Sequence, residues 1–235
     1  MRCLLFIVPV VLAFLVSCGE TGTDSDDSFI TSDATVLLGL MDDFECRYVR
    51  YDSTVTYPPY KVTVDTTFFT FASLATDSER QRFELWFDSV RTAALKIQSG
   101  SILHVGYIPW SPDEPESLVA FAEPPMIFPL RINSDDTWDY YTPSTPDIFA
   151  RLYLSWGFDV TRTFDRRESL TLPIGTFNCY VFVAEYSLPG RDTLFQTCEE
   201  YYASDWGLVK LYSTGHGTSR VFMVSRDTLS TYRLW

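Results

Sequence analysis

Apolar and polar residues alternate along most of the chain after residue 43, as they do in strands that bury one face. In residues 80–90, for example, Phe83, Leu85 and Phe87 occupy every second position. Runs of this kind cover residues 44–56, 61–74, 80–90, 93–99, 101–108, 148–165, 176–186, 193–203, 207–213 and 219–235. Short connections rich in Thr, Asp, Ser, Gly or Pro separate them, which predicts an antiparallel meander.

Other segments depart from this alternation. The sequence predicts a loop over residues 109–117 and, within residues 118–130, a short strand before Pro124-Pro125. It predicts a long irregular surface segment over residues 131–147. Helical periodicity is confined to Ser32–Met41, where Ser32 or Asp33 is positioned to cap a helix.

The pattern predicts an all-β protein of about ten strands with at most one or two short helices. An antiparallel sheet of this size must curl or close to bury its inner face, so we expect a single curved sheet or an open half-barrel. No internal repeat or linker divides residues 32–235, and we interpret them as one domain.

The chain opens with an apolar run that is too short for an ordinary transmembrane helix. Arg2 precedes the run at residues 4–16, whereas a bilayer core requires about 20 apolar residues. The run ends in Leu15-Val16-Ser17-Cys18, which resembles the lipobox of bacterial lipoproteins. The resemblance implies a signal peptide over residues 1–17 and a lipid anchor on Cys18. The alternative is an ordinary signal peptide, or a short membrane-anchoring helix, with an incidental cysteine.

Residues 18–31 are interpreted as a flexible acidic tether, because residues 19–28 contain four acids and no large apolar side chain. Gly19 follows the cysteine, where Asp tends to retain Gram-negative lipoproteins in the inner membrane. The resemblance therefore implies an anchor in the outer membrane of the cell envelope, with the membrane as the first partner.

Charge limits the classes of partner. The whole chain carries a net charge of −13, and removal of residues 1–17, which contain Arg2 and no acid, makes it −14. Such an excess of acid opposes binding to nucleic acid. The aromatic content of 16% agrees with a β-rich protein that buries many rings.

Three cysteines remain once Cys3 and Cys18 are set aside, which fits one bridge and one free thiol in an oxidising compartment. Cys179 and Cys198 lie on runs joined by a Pro189-Gly190 turn, and we expect a disulfide between them. Pairing through Cys46, or three free thiols, remains open. No spacing typical of a metal site occurs.

A second resemblance spans residues 124–212. A proline-marked PPMIFPL is followed by Trp138, then by LPIGTFNCYVF from Leu172, then by EYYASDWGLVKLYS from Glu200. This order is similar to that of uncharacterised β-rich envelope lipoproteins and periplasmic domains. The resemblance implies an open, curved antiparallel sheet, like that of half-barrel lipoprotein carriers.

The residues available for catalysis are few. His104 and His216 are the two histidines, and neither accompanies a nucleophile elbow or a phosphate-binding loop. We therefore expect no enzyme activity and no cofactor.

Two hypotheses remain for the β-rich domain. It holds a hydrophobic ligand or lipid in the concavity of its sheet, or it docks an envelope protein or glycan without a small ligand. Aromatic residues in loops or near strand ends are the candidate contacts, namely Trp110, Trp138, Tyr140 and Tyr141.

Overall fold

The computed structural model describes residues 29–31, 33–56, 61–88, 90–107, 119–142, 157–191, 193–215 and 218–229. Cys18, Trp110, His216 and the whole signal segment lie outside these ranges. Among the described residues, no helix is long and apolar enough to cross a membrane.

The described residues form short and long strands around one short helix. In chain order the elements are β1 (Phe29–Thr31), α1 (Ala34–Leu37), β2 (Phe44–Thr56), β3 (Lys61–Ala75), β4 (Arg82–Phe87), β5 (Val90–Gln98), β6 (Ser101–Tyr107), β7 (Val119–Ala120), β8 (Met126–Pro129), β9 (Ile132–Asn133), β10 (Thr137–Thr142), β11 (Phe158–Leu172), β12 (Gly175–Ser187), β13 (Leu194–Ala203), β14 (Gly207–Thr214) and β15 (Thr218–Thr228). Phe29–Thr31 thus pair as a strand, although the sequence placed them at the end of the tether.

Nearly all of the strands join one antiparallel sheet. Its order is β10-β11-β12-β13-β14-β15-β2-β3-β4-β5-β6-β7, with β8 also paired to β6, while β1 and β9 form a separate pair. The predicted all-β class and the single curved antiparallel sheet are confirmed. The main sheet has thirteen strands rather than about ten. β7 is the short strand that the sequence placed before Pro124-Pro125, whereas the pattern did not reveal β8 and β10.

The sheet curls until its two ends come together. Trp138 on β10 donates its indole Nε1–H to the carbonyl oxygen of Ile127 on β8 at 2.9 Å. The rings of Trp138 and Phe128 lie 5.3 Å apart. β10 and β8 stand at opposite ends of the strand order, so side chains close the barrel where no backbone pairing joins them in the described residues.

One end of this open barrel is filled by α1 and the turn that follows it. Asp33 caps the helix by accepting the Thr35 backbone N–H at 2.9 Å. Leu37, Leu38 and Leu40 are buried in the main core. The helix lies within the predicted Ser32–Met41 segment but spans only four residues.

Contacts from separate strands hold this plug across the barrel end. Arg226 on β15 donates to the Gly39 carbonyl at 3.2 Å, and Arg80 before β4 donates to the Leu40 carbonyl at 3.0 Å. Ala34 N–H bonds to Leu130 O at 2.8 Å, beside β8. We call this the plugged end and the opposite one the open end.

The predicted Cys179–Cys198 disulfide is absent from the structure, in which Cys46, Cys179 and Cys198 are buried free thiols. Cys179 of β12 lies opposite Ala203, whereas Cys198 of β13 lies opposite Ala184. Cys179 and the residue that faces Cys198 are therefore five positions apart on β12. An odd offset along a strand also places the two side chains on opposite faces of the sheet. The expected turn does form, with Arg191 N–H bonded to Leu188 O at 2.9 Å, but pairing starts only at Ser187 and Leu194, which shifts the register.

Candidate functional site

Burial falls steadily along the inner face of β3, from the plugged end toward the open end. Ser73 is buried, Phe71 and Phe69 are half-buried, and Thr67 and Asp65 are exposed. These five residues occupy alternate positions of one strand and therefore share one face. On β3 the concave face is thus filled with side chains near α1 and accessible at the open end.

β4 repeats this gradient beside β3. Phe83 and Leu85 are each 1% exposed, whereas Phe87 is half-buried. Pairing between β3 and β4 is confined to Phe71–Ala75, so the open-end part of β3 extends beyond β4. Apolar rings are therefore presented where the interior opens.

The rings of Tyr48, Phe69 and Phe87 form a stack across three neighbouring strands, which we call the aromatic ladder. Tyr48 on β2 stacks on Phe69 on β3, with centroids 5.1 Å apart and 14° between the planes. Phe69 stacks in turn on Phe87 on β4, with centroids 4.9 Å apart and 20° between the planes. The ladder runs across the strands and offers a continuous apolar surface on the inner face.

The Tyr48 end of the ladder is fixed in place. Its hydroxyl donates to the Leu208 carbonyl on β14 at 2.8 Å, although β14 is not adjacent to β2. Burial raises the pKa of this hydroxyl well above its usual value, with neighbouring Cys46 adding to the shift. Tyr48 is therefore a neutral, immobilised ring, while Phe69 and Phe87 remain accessible.

A charged rim lies beyond the ladder toward the open end. Arg50, two residues after Tyr48 on the same face, pairs through its Nε with Asp52 Oδ1 at 2.7 Å. Asp52 lies opposite Asp65 of β3. The inner face therefore changes from apolar rings at the Tyr48–Phe69 pair to charged groups at the Asp52–Asp65 pair. These two pairs are four residues apart along the strands, a distance of about 13 Å.

The opposite side of the interior is densely packed around a buried ion pair. Arg162 Nη2 lies 2.8 Å from Glu200 Oε1, and neither side chain is exposed. Arg162 also donates through Nη1 to the Ile127 carbonyl at 3.0 Å, and its guanidinium lies 4.7 Å from the Phe128 ring centroid. Tyr202 donates its hydroxyl to Glu200 Oε2 at 3.3 Å.

Charge balance keeps this pair ionised in the core. Burial alone would lower the pKa of Arg162, but Glu200 favours the charged guanidinium and the pKa lies above its usual value. The rings of Phe128, Phe182 and Tyr202 enclose the pair, each within 6 Å of another. This side of the interior serves to lock β8, β10, β11 and β13 together, rather than to bind a ligand at its surface.

The contact residues proposed from the sequence do not form one surface. Trp138, Tyr140 and Tyr141 all lie on β10, not in a loop. Trp138 is only 6% exposed. Tyr140 is half-buried, and the Arg162 guanidinium lies 5.3 Å from the centroid of the Tyr140 ring. Tyr141 points to the other face and is 49% exposed. The indole of Trp138 closes the barrel, and a contact role for these residues stays a prediction.

The residues that line the open end are not among the contact residues predicted from the sequence. Tyr48, Phe69 and Phe87 each lie in a run with the period-two pattern, which predicts a strand but not which of two neighbouring aromatic residues faces inward. Their stacking depends on the register of β2, β3 and β4, which no local signal fixes. No group of three or more metal-ligating side chains converges within the described ranges.

No family model matches the chain, and no curated protein matches it. A crystal structure from Parabacteroides distasonis, of a protein provisionally assigned as a lipoprotein, has a TM-score of 0.40 and 13% identity over 80% of this chain and 96% of that one. A β-barrel-like protein from Brucella abortus, from a domain family of unknown function, has a TM-score of 0.41 and 7% identity over 80% and 98% of the two chains. A provisionally assigned exported protein with a YmcC-like fold from Bacteroides fragilis has a TM-score of 0.37 and 11% identity, over 80% and 97%. These similarities assign no function to the chain.

Proposed function

We propose that this protein is a lipid-anchored protein of the bacterial cell envelope that binds an extended hydrophobic chain at the open end of its barrel. The role is one of binding, without a catalytic step or a cofactor. The observation that carries the proposal is the gradient along the inner face of β3 and β4, which leaves Phe69 and Phe87 accessible beside a filled core.

The ligand is inferred from the surface that would receive it. The aromatic ladder provides flat rings in a row, suited to the methylene groups of an acyl chain. The Arg50–Asp52 pair at the rim provides a donor and an acceptor for a polar headgroup that stays near solvent. An amphipathic lipid with one polar end matches both parts of the site.

Chain length should control affinity in this arrangement. Each buried methylene contributes about 0.8 kcal/mol, so affinity should rise about fourfold per methylene until the ladder is covered. A site that recognised only a headgroup would show no such dependence.

Localisation rests on the sequence Leu15-Val16-Ser17-Cys18, where processing before Cys18 would leave an acylated N-terminus. One acyl chain gives only marginal membrane binding, whereas two or three give durable anchoring. Cys18→Ala should abolish labelling by radioactive fatty acid and release the protein from the membrane fraction. Retained labelling would exclude the anchor.

Ligand binding is tested on the chain from residue 18 with Cys18→Ser, which prevents acylation. Organic extracts of the purified protein should yield lipid by mass spectrometry, at close to one molecule per chain. Phe87→Ala, which removes an accessible ring of the ladder, should reduce this yield, while Phe68→Ala, whose ring lies on the other face of β3, should not. A protein that purifies free of lipid and binds no fatty acid of any length would refute the proposal.

A further inference from the structure

The outer face of β2 and β3 carries an exposed apolar surface directly behind the aromatic ladder. Val64 is 65% exposed, Phe68 is 67% exposed and Tyr51 is 42% exposed. Large apolar side chains this exposed are uncommon when they cluster on one face of a sheet.

Strand register shows that these residues form a cluster. Val49 lies opposite Phe68 on one side and opposite Phe222 of β15 on the other. Tyr51 lies two residues beyond Val49, and its ring is 6.2 Å from that of Phe222. Val49 itself is only 8% exposed beneath its larger neighbours. We call Val49, Tyr51, Val64, Phe68 and Phe222 the outer patch.

Basic residues border the outer patch on the same face. Arg47 precedes Val49 by two residues and is exposed. Arg220 lies opposite Tyr51 and is exposed, and Lys210 lies opposite Phe222. The guanidinium of Arg220 also packs 5.5 Å from the Tyr212 ring centroid on this face.

Acidic residues of these strands do not adjoin the outer patch. Glu45 and Asp227 pair with each other on the same face, but Glu45 precedes Val49 by four residues, toward the plugged end. Asp52 and Asp65 occupy the inner face, opposite each other at the rim. Glu199 lies on the outer face opposite Tyr212, and Arg166 and the Tyr201 hydroxyl bind its carboxylate at 3.4 and 2.9 Å. A chain with a net charge of −13 therefore places three basic side chains, Arg47, Lys210 and Arg220, around this exposed apolar surface.

We propose that the outer patch rests on the surface of an anionic lipid bilayer. Aromatic and aliphatic side chains enter the interface between headgroups and acyl chains, and the flanking Arg47, Arg220 and Lys210 meet the headgroup phosphates. Charge complementarity favours this occupant, because most of the remaining surface of so acidic a chain is repelled by such a membrane. This inference does not depend on the ligand proposed above.

The geometry also allows the outer patch and an anchor at Cys18 to engage one membrane. Residues 19–28 separate Cys18 from β1, and ten extended residues span at most about 36 Å. From Ala75 at the plugged end, β3 reaches Val64 after eleven residues, which is also about 36 Å.

The test is co-sedimentation of the chain from residue 18, carrying Cys18→Ser, with vesicles of phosphatidylglycerol and phosphatidylcholine. We expect binding to these vesicles and little to pure phosphatidylcholine, with a loss at about 1 M salt, where the Debye length is about 3 Å. Phe68→Asp combined with Val64→Asp should weaken binding at least tenfold. Val119→Asp, a matched change at an exposed valine on the distant strand β7, should leave binding unchanged.

The charge component is tested by Arg47→Ala and Arg220→Ala, each of which should weaken binding about fivefold, the effect of one basic residue near an anionic surface. Equal binding by the wild type and the Val64/Phe68 variant would overturn the proposal. So would absence of binding together with a dimer, measured by light scattering, that Phe68→Asp dissociates, since a second copy of the chain would then cover the patch.

Discussion

Arg162 on β11 and Glu200 on β13 form an ion pair across β12, with 2.8 Å between Nη2 and Oε1, and solvent reaches neither side chain. The pair lies beside the point where β8 and β10 close the barrel, since Arg162 also holds the Ile127 carbonyl that receives the Trp138 indole. A buried charge in this position is stable only while its partners compensate for the lost contact with water.

Removing one partner should therefore be costly. Glu200→Ala leaves Arg162 buried without a counter-charge and should lower the free energy of unfolding by about 3–5 kcal/mol in urea denaturation. The double variant Arg162→Met, Glu200→Leu should be more stable than Glu200→Ala alone, because apolar side chains need no counter-charge. If Glu200→Ala costs less than about 1 kcal/mol, the pair does not hold the barrel together.

The plug across the barrel end is tested by two glycines with the same backbone conformation. Gly207 and Gly100 both have φ of +77°, but a Cβ on Gly207 would lie 2.8 Å from the Leu38 carbonyl oxygen, whereas nothing lies within 4 Å at Gly100. Gly100→Ala should cost about 1–2 kcal/mol from backbone strain alone. Gly207→Ala should cost about 1–3 kcal/mol more, because α1 must move. Equal costs in urea denaturation would show that α1 does not pack on the β13–β14 turn.

Thiol counting separates the free cysteines of the structure from the disulfide expected from sequence. Under native conditions, Cys46, Cys179 and Cys198 should resist a thiol reagent because all three are buried. In denaturant without reductant, the chain from residue 18 with Cys18→Ser should titrate three thiols. A count of one would establish a bridge and contradict the register of β12 and β13.

Alkaline pH should destabilise the fold through Cys46. Burial raises the pKa of this thiol from 9.0 to about 12, while the unfolded chain ionises near its ordinary value. Below pH 9.0 both states hold the proton, so the contribution to stability is complete. Above it only the unfolded state loses the proton, and the free energy of unfolding falls by at most about 1.4 kcal/mol per pH unit.

Further groups act in the same direction. Burial raises the pKa of Cys179 to about 11 and that of Tyr201 to about 12, the latter with Glu199 as the second cause. Urea denaturation between about pH 8 and 11 measures the total slope, and Cys46→Ala should reduce it. An unchanged slope in that variant would show that Cys46 ionises as readily in the folded protein as in the unfolded chain.

The sequence predicts the elements that depend on residues close together in the chain, and it misses those that depend on contacts between distant residues. The strand at Phe44–Thr56 and the cap at Asp33 depend on local pattern, and both occur in the structure. β10 was not predicted because Thr137–Thr142 is short and mixes aromatic with polar residues, and it pairs with β11 through partners 16 to 26 residues away along the chain. The cysteine error has the same origin, since a shift of three residues in the β12–β13 register separated Cys179 from Cys198.

The candidate site shows the same limit. The alternation in FECRYVRYDSTVT and KVTVDTTFFTFASL indicates which residues share a face, but two adjacent phenylalanines, Phe68 and Phe69, cannot be assigned to inside or outside from sequence alone. Register places Phe69 opposite Tyr48 in the ladder and Phe68 opposite Val49 in the outer patch. Only the assembled sheet gives these neighbours different surroundings.

That pair supplies the most direct test of the proposed ligand site. A fluorescent fatty acid, cis-parinaric acid, is titrated into the wild type, Phe69→Asp and Phe68→Asp, each on the Cys18→Ser background and each checked for folding by thermal unfolding. Phe69→Ala with Phe87→Ala replaces Phe69→Asp if that variant does not fold. The ladder site predicts saturable binding by the wild type, at least tenfold weaker binding after the change at Phe69 and unchanged binding by Phe68→Asp. Equal affinities for all three proteins, or no binding by the wild type, would contradict it.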